Sequence, residues 1–170
     1  MYQCMKDKLD ITIYRVASVH KTIVGCLSVN GLAFCDTSEH ADKVLPEGTY
    51  KLVMKHDRRL GCRVPAAGCE VSSSACRSSS SACRPSSTAC RMIGFGNGVY
   101  GWRSCFILVG TRETGECLIH SRVAFAALCS KVKLALREKR QVWLTIVDER
   151  ELGRRKGGAY EKDYGNHSSL

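Results

Sequence analysis

Apolar and polar positions alternate over residues 10–16, DITIYRV, where Ile11 and Ile13 stand against Thr12 and Tyr14. A period of two predicts a strand with one buried face. A second apolar run, Ile23 to Val29, ends at Asn30-Gly31, and Asn-Gly between two such runs predicts a hairpin because both residues tolerate positive φ. Leu32 to Cys35 is then the returning strand, and Asp36-Thr37-Ser38-Glu39 reads as a polar loop. After the turn-forming Pro46-Glu47-Gly48, residues 49–55 alternate again, so the first third of the chain reads as antiparallel β.

The second half begins with a buried strand, Cys105-Phe106-Ile107-Leu108-Val109, closed by Gly110, and a shorter one at Glu116-Cys117-Leu118-Ile119. Ser121 is expected to cap a helix on which Phe125, Leu128, Cys129, Val132, Ala135 and Leu136 share one face. Lys131, Lys133, Arg137, Lys139 and Arg140 gather in its C-terminal half, where cations suit the helix dipole. Val142 to Val147 is apolar on both faces, the mark of a central strand. Residues 150–170 lack an apolar face and read as a flexible basic tail. The predicted fold class is α+β: a mainly antiparallel, curved or barrel-like β-sheet with one C-terminal helix, forming a single domain over residues 9–149.

One segment breaks this alternation. Residues 61–91 divide into GCRVPAA, GCEVSSS, ACRSSSS, ACRPSST and ACRMIGF, a seven-residue repeat that spaces Cys62, Cys69, Cys76, Cys83 and Cys90 evenly. In a helix such cysteines would sit about 10.5 Å apart, too far for neighbouring disulfides, and in a strand an odd spacing alternates their faces. Zinc ligands usually come two to four residues apart, a pairing this repeat lacks. The segment is therefore expected to be a disordered low-complexity loop inserted into the domain, tolerated because loop-closure entropy grows slowly with length.

Composition narrows the function classes. A chain of 170 residues suits one domain. It has no apolar run of about 18 residues, and its start, MYQCMKDKLD, lacks the pattern of a signal peptide, which predicts a cytoplasmic protein without membrane partners. Eleven cysteines are an odd count, so reduced thiols are expected. A net charge of +10 reads first as a solvated basic face without a specific partner, with an anionic polymer, and after it nucleic acid, as the alternative. No cofactor and no metal are expected.

Residues 92–110, MIGFGNGVYGWRSCFILVG, carry a resemblance that extends to other parts of the chain. With Cys35-Asp36-Thr37-Ser38-Glu39, Leu45-Pro46-Glu47-Gly48-Thr49-Tyr50 and His120-Ser121-Arg122-Val123-Ala124-Phe125, the chain resembles an uncharacterised family of domains common in phages, prophages and gut Bacteroidetes genomes. That family's pattern runs C-D-T-L-E, I-P-x-G-x-Y, I-H-x-G-N, D-T-x-G-C-I-L-V-G and N-S-R-x-x-F. More distantly, its histidine and Gly-Cys element are similar to those of the L,D-transpeptidases of peptidoglycan cross-linking. The resemblance implies a thiolate attacking a peptide carbonyl, a histidine that takes the thiol proton and later protonates the leaving amine, and backbone amides that stabilise the oxyanion.

On that reading Cys105 is the candidate nucleophile. This chain departs from the pattern at three places: Gly94 stands at the histidine position, Gly101-Trp102 at the acidic-Thr pair and Ser104 at the glycine before the cysteine. An ordinary thiol without a base is only a few per cent ionised at neutral pH. His120, in the loop after the cysteine strand, is the candidate replacement base, with His40 and His56 as further choices. Gly96, Asn97, Tyr100, Trp102 and Arg103 are expected to line a ligand cleft, the glycines and Asn97 also serving a tight turn. The function expected is an accessory domain of phage or prophage type whose catalytic machinery is degenerate. The alternatives are an active cysteine acyltransferase or peptidase on peptidoglycan peptides, and a basic module for nucleic acid or an anionic polymer.

Overall fold

A computed structural model describes residues 7–68 and 90–150. Residues 151–170 of the expected tail and the repeat from Cys69 to Thr88, together with Ala89, lie outside the described residues. The elements, in chain order, are β1 (Lys8–Val19), β2 (Thr22–Val29), β3 (Leu32–His40), a 3-10 turn (Ala41–Lys43), β4 (Gly48–Asp57), β5 (Cys62–Ala67) and β6 (Arg91–Gly94). A second 3-10 turn (Gly101–Cys105) leads to β7 (Phe106–Arg112), β8 (Leu118–Ile119), α1 (Ser121–Arg137) and β9 (Gln141–Asp148).

Hairpins explain the start of the sheet. β1, β2 and β3 pair antiparallel in sequence order, and Asn30 and Gly31 turn the second hairpin with φ of 50° and 79°. β4 then leaves its neighbour in sequence and pairs with β9, which in turn lies parallel to β1. Parallel neighbours need a long crossover. α1 is part of the connection into β9, and residues 95–105 connect β6 to its parallel partner β7. The nine-stranded order is β3-β2-β1-β9-β4-β5-β6-β7-β8, and an extra pairing of β3 with β7 closes it into a barrel. The expected barrel-like sheet with one C-terminal helix is what the chain forms.

The barrel interior is apolar. Leu9, Ile11 and Ile13 of β1, Leu27 and Val29 of β2, Ile107 and Val109 of β7, and Val142, Leu144 and Ile146 of β9 form one cluster with Phe125, Leu128, Cys129, Val132 and Ala135 of α1. The helix stripe is spaced to keep one face buried. Its C-terminus closes with Arg140 N–H bonding Ala135 O at 2.9 Å and Lys139 N–H bonding Leu136 O at 3.1 Å, the paired bonds of a Schellman end.

Several expectations need correction. Asp36-Thr37-Ser38-Glu39 is not a loop: Asp36, Thr37 and Ser38 make the pairs with Gly110, Val109 and Leu108 that close the barrel. Their polar groups are satisfied by distant partners, since the Asp36 carboxylate accepts the Arg112 N–H at 2.7 Å and the Arg112 guanidinium donates to Thr37 O at 2.6 Å. The repeat does not begin as a loop either. Cys62 to Ala67 form β5, with Val64, Ala66 and Ala67 fully buried. Ser121 lies inside α1 rather than capping it, and Leu136 is on the exposed side. Cys105 ends the 3-10 turn, so the strand starts one residue later.

Candidate functional site

Two basic regions flank the Gly101–Cys105 turn, and they differ in what holds their cations. The first surrounds Cys105. Arg59, just beyond β4, pairs with Asp57 at 2.9 Å and lies 4.9 Å from the centre of the Phe106 ring. Burial alone would raise the Asp57 carboxyl, but hydrogen bonds from the Arg59 side chain and from the Leu60 and Arg59 N–H groups outweigh it and hold the carboxyl below its usual range. Arg59 is itself held above its ordinary value, first by Asp57 and further by a side-chain hydrogen bond with Cys105. Lys43 donates to Ser104 Oγ at 2.7 Å.

A buried ion pair lies deeper. Arg15 continues the inward row of Leu9, Ile11 and Ile13, and its guanidinium grips both oxygens of Glu39 at 2.8 and 2.9 Å. The two residues are only 2% and 3% exposed. Arg91, also buried, donates to the Lys43 and Cys90 carbonyls; burial pushes its guanidinium down, while Cys105 and Glu39 act in the opposite sense. Arg59 and Arg91 are both charged neighbours of Cys105. Among the described residues no hydrogen bond joins Cys105 to a histidine.

The histidine position of the pattern has a clear local geometry. A Cβ added to Gly94 would lie 2.7 Å from Cδ1 of Phe106, so the Phe106 ring fills the space a side chain there would need. The sequence contains a matching signal that the motif comparison passes over. The pattern places three residues between its cysteine and the closing glycine, whereas this chain has four between Cys105 and Gly110. Counted back from Gly110, the cysteine's place belongs to Phe106. Cys105 instead packs at the edge of a small outer cluster of Val99, Phe106, Leu108 and Leu118.

The second region is a cleft of about 340 Å³ between the Phe95–Asn97 turn and the start of α1, lined also by Arg103, Leu118, His120, Ser121, Arg122 and Val123. Gly96 and Asn97, the expected turn, are drawn to the helix because Ser121 Oγ accepts the Gly96 N–H at 2.9 Å and donates to Val109 O. His120 takes the cap position in the left-handed region, φ 52° and ψ 26°, and its side chain caps no N–H of the first turn. Arg122 lies over the Phe95 ring and Arg103 over the Trp102 ring, with the guanidinium carbons 4.9 and 4.6 Å from the ring centres. Arg103 Nε is buried and has no acceptor.

Of the residues expected at a site, Gly96, Asn97, Arg103 and His120 come together in this cleft. Cys105 lies outside its lining. Tyr100 is 62% exposed and donates to Glu116, and Trp102 packs edge-on against Phe106 with the ring centres 5.8 Å apart. His40 accepts the Asp42 N–H at the first 3-10 turn, and His56 is exposed on β4. Arg15 lies outside the resembling motifs, and Glu39 and Arg122 stand within them without a role assigned from sequence. For Arg15 the signal was present, since it keeps the phase of the inward apolar row.

The thiols divide in the same way. Cys35 and Cys129 are pushed up to about 12 and about 11 by burial, as expected of cysteines used for packing. Cys90 is disulfide-bonded, so the expectation of reduced thiols fails at that position. Among the described residues no three His, Cys, Asp or Glu side chains converge as metal ligands. No helix among them is long and apolar enough to cross a membrane.

Fold and cleft together define a closed, mixed β-barrel domain with a helix packed on its core and a basic cleft at that helix's first turn. No family model matches the chain, and neither the curated proteins nor the solved structures contain a match to it.

Proposed function

We propose that this chain is a non-catalytic binding domain, a phage or prophage accessory protein acting in the host cytoplasm and related to cysteine-dependent folds that process cell-wall peptides. One observation carries the reading: the Phe106 ring occupies the side-chain space at Gly94, where the resembling family has its histidine. A cysteine enzyme needs a base within hydrogen-bond reach of its thiol. Here Cys105 has arginines beside it, and His120 stands in the cleft. The cleft is the part suited to a ligand, and the resemblance favours peptidoglycan peptides as its source.

The test is to incubate the full chain, with and without reductant, with a peptidoglycan stem peptide and to follow peptide and intact-protein masses. The expected result is an unaltered peptide and no acyl adduct on Cys105. An adduct that forms on the wild type and is lost in Cys105→Ala would overturn the proposal in favour of an active acyltransferase or peptidase.

A second reading, a basic module for nucleic acid or an anionic polymer, draws on the exposed helix cations Arg122, Lys133 and Arg137 and on the net charge of +10. It requires polymer binding that falls steeply with salt. Salt-insensitive binding would dismiss it.

A further inference from the structure

We infer that the cleft at the start of α1 binds the anionic group of a small ligand, a carboxylate or a phosphate, between Arg103, Arg122 and the first-turn N–H groups of the helix. The inference rests on reading the domain as a binding domain and supplies the chemistry of what it binds.

Charge is the first argument. The ionisable side chains lining the cleft are Arg103, His120 and Arg122, and no Asp or Glu is among them. Elsewhere in the described residues several arginines meet carboxylates, Arg15 with Glu39, Arg59 with Asp57, Arg140 with Glu138 and Arg150 with Asp148, while Arg91 and Arg112 donate to backbone carbonyls. In the cleft the two guanidinium groups rest on aromatic rings instead. Such stacking orients a guanidinium while leaving its donors for a planar anion.

Arg103 is also held ready by packing. A Cβ at Gly96 would lie 2.7 Å from Arg103 Cδ and 2.8 Å from its Nε, so glycine is what lets the side chain lie across this turn. Its Nε is buried and has no acceptor, so the donors it offers an anion are those of its two terminal nitrogens.

The helix adds a third, independent contribution. α1 is 17 residues long, and no side chain caps its first turn, so its unpaired N–H groups and positive dipole end face the cleft where Ser121, Arg122 and Val123 line it. Phe95, Leu118 and Val123 supply the apolar part of the wall. A cleft of about 340 Å³ is at the small end of ligand pockets. The ligand class that fits pairs one anionic group with a short apolar body, as in the C-terminal residues of a peptide or a small phosphate ester.

The experiment is an amide NMR titration of the full chain with three probes: inorganic phosphate, an acetylated dipeptide ending in a free carboxylate, and the same dipeptide as its amide. At least one anionic probe is expected to give saturable shifts at Gly96, Ser121, Arg122 and Val123. Arg103→Gln is expected to weaken that binding about tenfold, and Arg122→Gln severalfold, the loss of a charge-assisted contact. Lys51→Gln, an exposed charge on β4 outside the cleft lining, is expected to leave it unchanged. Saturation by phosphate alone identifies a phosphate ligand; saturation by the free-acid dipeptide but not its amide identifies a carboxylate. Absence of saturation with all three probes up to about 20 mM, beyond even millimolar affinity, would overturn the inference, as would unaltered affinity in Arg122→Gln, whose exposed side chain is not needed for folding. That failure leaves the non-catalytic reading intact, whereas an acyl adduct on Cys105 would remove that reading and leave the anion site standing.

Discussion

The two basic regions flanking the Gly101–Cys105 turn use the same side chains for different ends. Around Cys105 the protein answers its own cations: Glu39 holds Arg15, Asp57 holds Arg59, and backbone carbonyls receive Arg91. In the cleft Arg103 and Arg122 meet ring faces, and no carboxylate lines the wall. A cation neutralised from within belongs to the architecture. One held in place by an aromatic ring keeps its hydrogen-bond donors for another molecule. Net charge does not distinguish the two; the partners do.

The comparison is most easily broken at the buried pair. Glu39→Gln leaves the Arg15 guanidinium buried without its counter-charge and is expected to cost about 3–5 kcal/mol, read as a lower urea midpoint. Arg122→Gln is expected to leave that midpoint where it was. Equal effects of the two substitutions would erase the distinction.

A smaller effect is expected at Gly94. Gly94→His forces a side chain into the space of the Phe106 ring and is expected to cost about 1–3 kcal/mol by overpacking. The double variant Gly94→His/Phe106→Ala is expected to cost less than the sum of the single changes, because the shortened side chain makes room. Simple additivity would mean that the two positions do not share that space.

Acid titration sharpens the comparison further. The folded Asp57 carboxyl lies below its ordinary value because hydrogen bonds from Arg59 and Leu60 outweigh burial. Its contribution to stability is therefore complete above the unfolded value of about 4 and is lost as pH falls through the lower folded value. The urea midpoint is expected to drop below about pH 4, and Asp57→Asn to flatten that drop. The smallest expected effect is that of salt. Raising ionic strength is expected to weaken anion binding in the open cleft while hardly changing the contribution of the buried Arg15–Glu39 pair, since screening acts on exposed charges.

The legible parts of the fold are those with local causes. Ile11 and Ile13 reveal β1 by alternation, Asn30-Gly31 reveals its hairpin, and the stripe from Phe125 to Ala135 reveals α1. Val142 to Val147 reads as central and lies between β1 and β4. Asp36 to Glu39 misleads because the groups that make a strand of it, Arg112 and Arg15, lie far away in the chain. β5 is hidden because Cys62 shares the spacing of the repeat, although Val64, Ala66 and Ala67 are the residues buried there. Closure of β3 onto β7 has no local signature at all.

The cleft follows the same rule. Gly96 and Asn97 are visible as a turn, and Arg103 and His120 as chemistry-bearing residues near it. Their meeting depends on Ser121 tying Gly96 to the strand at Val109. The helix that Ser121 begins is therefore also what positions the turn. Arg122 becomes visible as a cleft residue only once the helix is seen to start at Ser121 and not after it.

The most direct measurement is calorimetric titration of one acidic peptide ligand, a stem peptide with a free carboxylate, into the wild type, Cys105→Ala and Arg103→Gln/Arg122→Gln. The account predicts that Cys105→Ala binds as the wild type does and that the cleft variant loses at least about tenfold in affinity, or 1.4 kcal/mol. Loss of binding in Cys105→Ala together with retention in the cleft variant would contradict it and return the site to the cysteine.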